Sequence, residues 1–498
     1  MRSELIALDD ATSLRRKTSA TGMSAIARPN KAQRMKPASR AIAFVTAGAL
    51  AAGSGPAGAQ PLPANAGLPI IRDAETEQLM RDYTAPILRA AGLGKQNIQV
   101  VIINERTFNA FVADGRRIFV NAGALMESQT PNEITGVLAH EAGHIAGGHL
   151  SKMREQIANA QTQAIIAMLL GLGAVVAGAR SGGSTGGLSQ AGAAALTAPQ
   201  EMIRRSLLSY LRAHEDQADR AGVKFLTATG QSAKGMHDTF KRLAEQMMYS
   251  ARYADPYLQS HPMPAERVAG LQELTRTSPY WDKKDPAETQ ARHDLMRAKL
   301  YGFMERPDSV ARRYPASDTS LAARYARAIS TYRFSDLRNA IGQVDALIAV
   351  QPDNPYFHEL KGQALLEGGH PAEAIAPLRR AASLAPQPAL IQILLGQALV
   401  ATKDAKHAEE AITILRNALA REPEAPEGYS QLAMAYGRKG DVAQADLASA
   451  QAAFARGDIK TARELAARAK TRLPVGSPAW VKADDLVVVK TPAKLGLR

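Results

Sequence analysis

Apolar residues Leu79, Tyr83, Ile87 and Leu88 fall on one helical face of residues 73–91, and the pattern stops at Gly92. The period then shortens. Ile98 to Asn104, Asn109 to Ala113 and Arg116 to Asn121 read as short strands, the last two joined by Asp114-Gly115, and together they predict a small antiparallel sheet. The strand segment ending at Asn121 is a candidate edge for pairing with an extended substrate, or else an ordinary inner strand. Thr130, Pro131 and Glu133 have the chemistry of a cap, a first helical residue and an N3 carboxylate, so a helix starts there. An apolar run, Ala164 to Ala179, leads into a Gly/Ser/Ala-rich stretch to Ala198. It is short for a span of about 20 residues, which leaves a mobile lid or membrane-touching hairpin, a buried helix pair, or a span.

From 320 to 475 the pattern is Ala- and Leu-rich helix with an internal period. Gly362 and Gly396 are 34 apart, as are Pro352 and Pro386, and turns at Glu367-Gly368-Gly369, Lys403-Asp404 and Lys439-Gly440-Asp441 precede Ala-rich second helices. This is the spacing of tetratricopeptide (TPR) repeats, with Pro423 and Pro474 off the strict period and 476–498 left as a C-terminal tail. Such arrays contact mainly their own neighbours and offer a concave groove, which predicts that the region from about 60 to 310 folds without 320–498.

The first 59 residues change the picture of the start. Lys36, Arg40, the apolar run Ala41 to Ala52 and Ala57-Gly58-Ala59 have the layout of a secretory signal peptide cut after Ala59, so the expected location is the periplasm; residues 1–34 are long for its basic region, and Met35 is an alternative start. Nine Lys/Arg and three Asp/Glu lie in that segment, which reduces the formal +14 of the 498-residue chain to +8 after it. That mild bias allows peripheral contact with an anionic membrane and comes with no phosphate-cradling or base-reading motif, hence no nucleic-acid partner. Cysteine is absent, so any metal ligands are His or carboxylate.

His140-Glu141-Ala142-Gly143-His144 supplies them. At i and i+4 on a helix both imidazoles project from one face and can hold one Zn²⁺, while Glu141 beside them reaches water as a general base. A catalytic zinc usually takes three protein ligands. Glu215, on a helical stretch from Arg204 to Leu226, is the candidate third; Asp219, four residues on, can accept a hydrogen bond from a ligand histidine. His149 is nine residues after His140, on the opposite face if the helix continues, and reads as structural or surface. His261, ahead of Pro262, is a candidate fourth ligand that restrains the enzyme, a hydrogen-bond donor to the transition state, or a capping residue.

HEAGH followed by GHL, YLRAHEDQADRAG, HPMPAER, IRDAETEQLMRDY and RHDLMRAKLYGF together resemble the peptidase family of the bacterial heat-shock membrane protease HtpX and the CAAX prenyl proteases, in its TPR-containing periplasmic branch. The resemblance covers the chain after residue 59 and implies zinc histidines at His140 and His144, a glutamate ligand at Glu215, a base at Glu141 and the helix aspartate at Asp219. It also implies unfolded or misassembled outer-membrane proteins as substrates, and outer-membrane assembly machinery as partner of the TPR groove. The expected architecture is an α+β zincin-type metallopeptidase domain, 60–310, followed by an all-α TPR solenoid. A chaperone or assembly scaffold with latent proteolysis is the alternative.

Overall fold

The computed structural model describes residues 69–156, 210–249, 261–262 and 265–489. The expected signal peptide and the apolar segment 164–198 lie outside them. Helix α1 (Ala74–Ala90) begins where Asp73 caps it, accepting from Thr76 N at 2.8 Å, and it buries Leu79, Tyr83, Ile87 and Leu88. Strands β1 (Ile70–Ile71), β2 (Gln99–Ile103), β3 (Ala110–Val112) and β4 (Arg117–Asn121) form one sheet in the order β1-β2-β4-β3.

That sheet is mixed, which corrects the expectation of a wholly antiparallel one. The Asp114-Gly115 hairpin does make β3 and β4 antiparallel, but β4, almost wholly buried, takes the inner position and pairs parallel with β2. Residues 104–109 carry β3 to the outside. The segment ending at Asn121 is therefore paired on both sides and is no edge; among the described residues the outer strands are β1 and β3.

After α2 (Ala122–Glu127), helix α3 (Pro131–Ala146) starts as its sequence requires. Thr130 caps Glu133 N, and Glu133 accepts in turn from Gln129 N at 3.2 Å. It runs through the core with Ile134, Val137, Leu138 and Ala139 fully buried, crossing helix 210–228 (α5) and α6 (Lys234–Tyr249). A methyl group on Gly143 would lie 2.7 Å from the Ala218 carbonyl oxygen, so a glycine is what lets the two motif helices approach this closely. Helix α4 is described over 149–156. Helix α7 (Ala265–Arg276) packs on α6, and α8 (Ala287–Met304) carries the chain towards the repeats.

Helix pairs then stack in sequence. After α9 (Pro307–Arg313) they are α10 and α11 (Leu321–Phe334, Leu337–Val350), α12 and α13 (Pro355–Glu367, Pro371–Leu384), α14 and α15 (Ala389–Ala401, Ala405–Arg421), α16 and α17 (Pro426–Arg438, Val442–Ala455). Each hairpin from α12 on turns on one positive-φ residue, Gly369, Lys403 and Gly440, 34 and then 37 positions apart, so the longer third unit is visible in the backbone. Helices α18 (Ile459–Lys470) and α19 (Pro478–Val488) close the array: Ala483 and Leu486 pack with Leu447 and Ala466, so part of the expected tail is structured.

No polar linker separates the two halves. Leu295 and Ala298 of α8 share a core with Tyr325, Ile329, Val344, Phe357 and Leu360 of the first repeats. Beside it Lys299 is buried against Asp73 at 2.5 Å, Glu75 at 3.4 Å and Glu359 at 3.5 Å, and the Tyr325 hydroxyl donates to Glu75 at 3.0 Å. Among the described residues no helix is long and apolar enough to cross a membrane.

Candidate metal centre

His140 and His144 face α5 from the buried side of α3, and their Nε2 atoms are 3.0 Å apart. Glu215 joins them, with Oε2 3.3 Å from His140 Nε2 and Oε1 3.3 Å from His144 Nε2. His261 arrives from a distant segment: its Nδ1 lies 3.0 Å from Glu215 Oε2 and 3.3 Å from His140 Nε2. One ligand atom from each of these four residues can be chosen so that all lie within 4.8 Å of one another.

Glu141 is completely buried beside this group. Neither of its oxygens has a hydrogen-bond partner among the described residues, and His261 Nε2 is 3.5 Å from its Oε1. Asp219 stands behind the cluster, Oδ1 2.9 Å from His140 Nδ1, so the sequence-selected residues are all brought together.

Two further groups complete the arrangement. Arg267 was not singled out from sequence; it donates through Nε and Nη2 to Asp219 at 2.7 and 2.8 Å and lies 2.8 Å from Glu215 Oε2 through Nη1. The same Nη1 donates to the Pro262 carbonyl at 3.0 Å, which ties the His261 segment to the site. HPMPAER contains both residues, so the signal was the motif. His149 is the other: of its two expected roles, structural or surface, the structure takes the first, because α3 ends at Ala146 and the chain turns back at Gly148 (φ +62°), placing His149 Nδ1 3.0 Å from His144 Nδ1. It remains outside the four-ligand group.

The electrostatics ask for a cation. Burial depresses the His140 pKa, but Asp219 and Glu215 outweigh it and raise the value to about 9. His144, where burial wins, falls to about 3, and burial with His214 and Lys152 takes His149 to about 4. Burial pushes Glu141 up; it would push Glu215 and Asp219 up too, but the adjacent His261 and hydrogen bonds from three histidines hold Glu215 well down, and Arg267 holds Asp219 down. Imidazole nitrogens and a carboxylate 3.0–3.3 Å apart fit the edges of a tetrahedron of about 2 Å metal–ligand bonds. The donor set, nitrogen and carboxylate oxygen without thiolate, suits a borderline divalent ion.

A helix bearing two histidines and a glutamate, with a second helix bearing a carboxylate ligand, defines a metallopeptidase. Consistent with that class, the model of Peptidase family M48 matches residues 73–275 and a tetratricopeptide repeat model matches 325–389. The beta-barrel assembly-enhancing proteases of Yersinia pestis and Escherichia coli (strain K12) are each 24% identical to this chain, over 428 and 429 residues, covering 84% of this chain and 84% and 83% of theirs. Metalloprotease LoiP of Escherichia coli (strain K12) is 30% identical over 206 residues, 41% of this chain and 73% of its own length. The chain belongs to peptidase family M48, as a TPR-containing metalloprotease.

Proposed function

We propose that this protein is an exported zinc endopeptidase that degrades misfolded or stalled outer-membrane proteins and assists their assembly in the periplasm. The observation that carries the chemistry is the convergence of His140, His144, Glu215 and His261 on one point with Glu141 buried beside it. His140, His144 and Glu215 would hold one Zn²⁺, which would supply Lewis acidity towards the scissile carbonyl and towards water. Glu141 accepts the proton of the attacking water and returns it to the leaving amine, a task suited to a carboxyl whose affinity for protons burial has raised. Asp219, gripped by Arg267, keeps the His140 proton on Nδ1 and so keeps Nε2 available. The names of the relatives, which join proteolysis to the enhancement of beta-barrel assembly, support this substrate class and an assembly machinery as partner of the repeats.

His261 is the resting fourth ligand in this reading. With Nδ1 3.0 Å from Glu215 Oε2 and 3.3 Å from His140 Nε2, it would join the other ligands around a bound ion and would restrain the enzyme until it withdraws. His261→Ala is expected to raise cleavage of unfolded protein, self-cleavage included, several-fold; lower turnover with zinc intact would assign it to the transition state instead.

Metal analysis with a casein-type cleavage assay on the mature chain tests the whole reading. One zinc per chain is expected, reduced by His140→Ala, His144→Ala or Glu215→Ala. Full zinc retention after loss of Glu215 would remove it from the ligand set. The alternative, a TPR scaffold with latent proteolysis, predicts that Glu141→Gln stops cleavage yet leaves envelope function intact.

A further inference from the structure

Behind the two ligand histidines stand different supports. His140 rests on a carboxylate, Asp219, itself neutralised by the Arg267 fork. His144 rests on another imidazole.

The backbone is built to bring that imidazole there. Gly147 N bonds back to Gly143 O at 2.9 Å, Gly148 turns the chain at φ +62°, and the His149 ring folds over Gly147 so closely that a Cβ there would sit 2.2 Å from His149 Nε2. The ring is 4% exposed and stacks on His214 of α5, centroids 4.2 Å apart at 10°, with Tyr210 4.0 Å beyond. Its Nε2 lies 3.3 Å from Gln217 Oε1. Both α5 contacts flank Glu215 in the chain, one on each side.

These contacts define one proton order. An amide oxygen only accepts, so His149 carries its proton on Nε2 and presents the Nδ1 lone pair. His144 then donates from Nδ1 into it, leaving its own Nε2 lone pair aimed at Glu215 and the shared point. The reverse tautomer of either ring would set two protons or two lone pairs against each other across 3.0 Å.

We propose that His149 is a positioning residue for metal binding: through the Gln217–His149–His144 chain of hydrogen bonds it fixes the tautomer and plane of His144, with Gly147 kept bare to admit its ring. The inference rests on His144 being a metal ligand. Its charge-neutral support makes His144 the weaker donor of the pair, complementing His140 on its carboxylate.

Zinc affinity of the mature chain, measured by competition with a chromophoric chelator, and the ligand-field spectrum of the Co²⁺-substituted chain test it. His149→Phe keeps the stack on His214 but cannot accept a hydrogen bond; His149→Asn loses the ring but offers an acceptor. Affinity is expected to fall about 10 to 100-fold in His149→Phe and His149→Ala, with a shifted cobalt band, and to recover largely in His149→Asn. Gly147→Ala is expected to behave as His149→Phe. Wild-type affinity and spectrum in a folded His149→Phe would overturn the proposal, as would the opposite order, Phe tolerated and Asn not. If His149→Phe fails to fold, His149→Ala and His149→Asn decide: equal losses in both overturn it. Unchanged metal content in His144→Ala would instead overturn the ligand assignment beneath it.

Discussion

Two buried clusters in this molecule have the same permanent charges and different fates. The metal centre sets Glu141, Glu215 and Asp219 against Arg267; the seam between peptidase and repeats sets Asp73, Glu75 and Glu359 against Lys299. In the first, the planar guanidinium grips Asp219 with two donors and imidazoles fill the space between carboxylates, so the remaining negative charge is arranged around a point a divalent ion fits. At the seam no imidazole stands among the described partners of these groups. One compact ammonium serves three carboxylates, and the excess is met by protons: burial lifts Glu75 and Glu359 to about 7 each, despite Lys299. Three carboxylates and one cation become a metal site or a proton reservoir according to which neutral donors stand among them.

The largest effect belongs to the metal centre alone. Glu141→Gln is expected to cut casein cleavage by about 10² to 10⁴-fold while metal content and thermal midpoint stay near wild type. A parallel loss of metal would show that Glu141 is a ligand, and the contrast between the clusters would blur. At the seam the matching change is Lys299→Met, which leaves three carboxyls without their cation and should cost about 3–5 kcal/mol, a drop on the order of 10 °C in unfolding temperature. Adding Glu75→Gln and Glu359→Gln to it should recover much of that loss. Unfolding temperatures equal to wild type in Lys299→Met would mean the cluster is hydrated.

Removing the repeats tests the same seam more bluntly. Deleting 321–498 strips Tyr325 and Glu359 from Lys299 and bares Leu295 and Ala298, so the catalytic half is expected to lose stability, against the independence that a repeat array suggests. Retention of the full-length midpoint by the truncated chain would restore the independent-domain view. Chelation separates the clusters from the other side: with zinc at 100 times its dissociation constant, removal should cost about 2.7 kcal/mol, and Lys299→Met should not change that increment.

The smallest effect is in pH. Glu75 and Glu359 bind protons at about 7 in the folded chain against 4.5 for the free group, so the folded state holds more protons across that window. Stability is therefore expected to fall as pH rises from about 4.5 to 7, and to be lower at pH 8 than at 6 by about 1 kcal/mol for each of the two groups. Glu359→Gln should flatten the slope and raise the midpoint at pH 8 by about 2–4 °C. An unaltered slope in that variant would place the titration elsewhere.

What could be read from sequence was what repeats locally. The i, i+4 histidines, the Thr130-Pro131 start and the 34-residue period depend on neighbours along the chain, and each stands where its spacing puts it. The parallel pairing of β2 with β4 was hidden because hairpin chemistry fixes only the β3–β4 partnership. His149 read as structural or surface, and it is structural: nine residues at 100° point away from the metal, while one positive φ at Gly148 turns its ring back onto His144 without adding it to the ligand group. Arg267 and Lys299 give no local signal, since their partners lie 48 residues away for Asp219 and further still for Asp73.

The HPMPAER segment has a kinetic consequence. His261 and Arg267 are six positions apart, and Arg267 holds the Pro262 carbonyl and the Glu215 and Asp219 carboxylates of α5, so a displaced His261 stays moored beside the metal centre. On the reading of His261 as resting ligand, any incoming peptide competes with an imidazole at a local concentration of order millimolar or more. A free short peptide at micromolar concentration loses that contest, whereas a client already held on the repeats is itself tethered and competes on equal terms. Selectivity then comes from residence on the enzyme rather than from the residues flanking the cut. The expected signature is a large preference for an unfolded protein over a decapeptide containing the same scissile sequence, shrinking in His261→Ala; equal preference in both enzymes would contradict it.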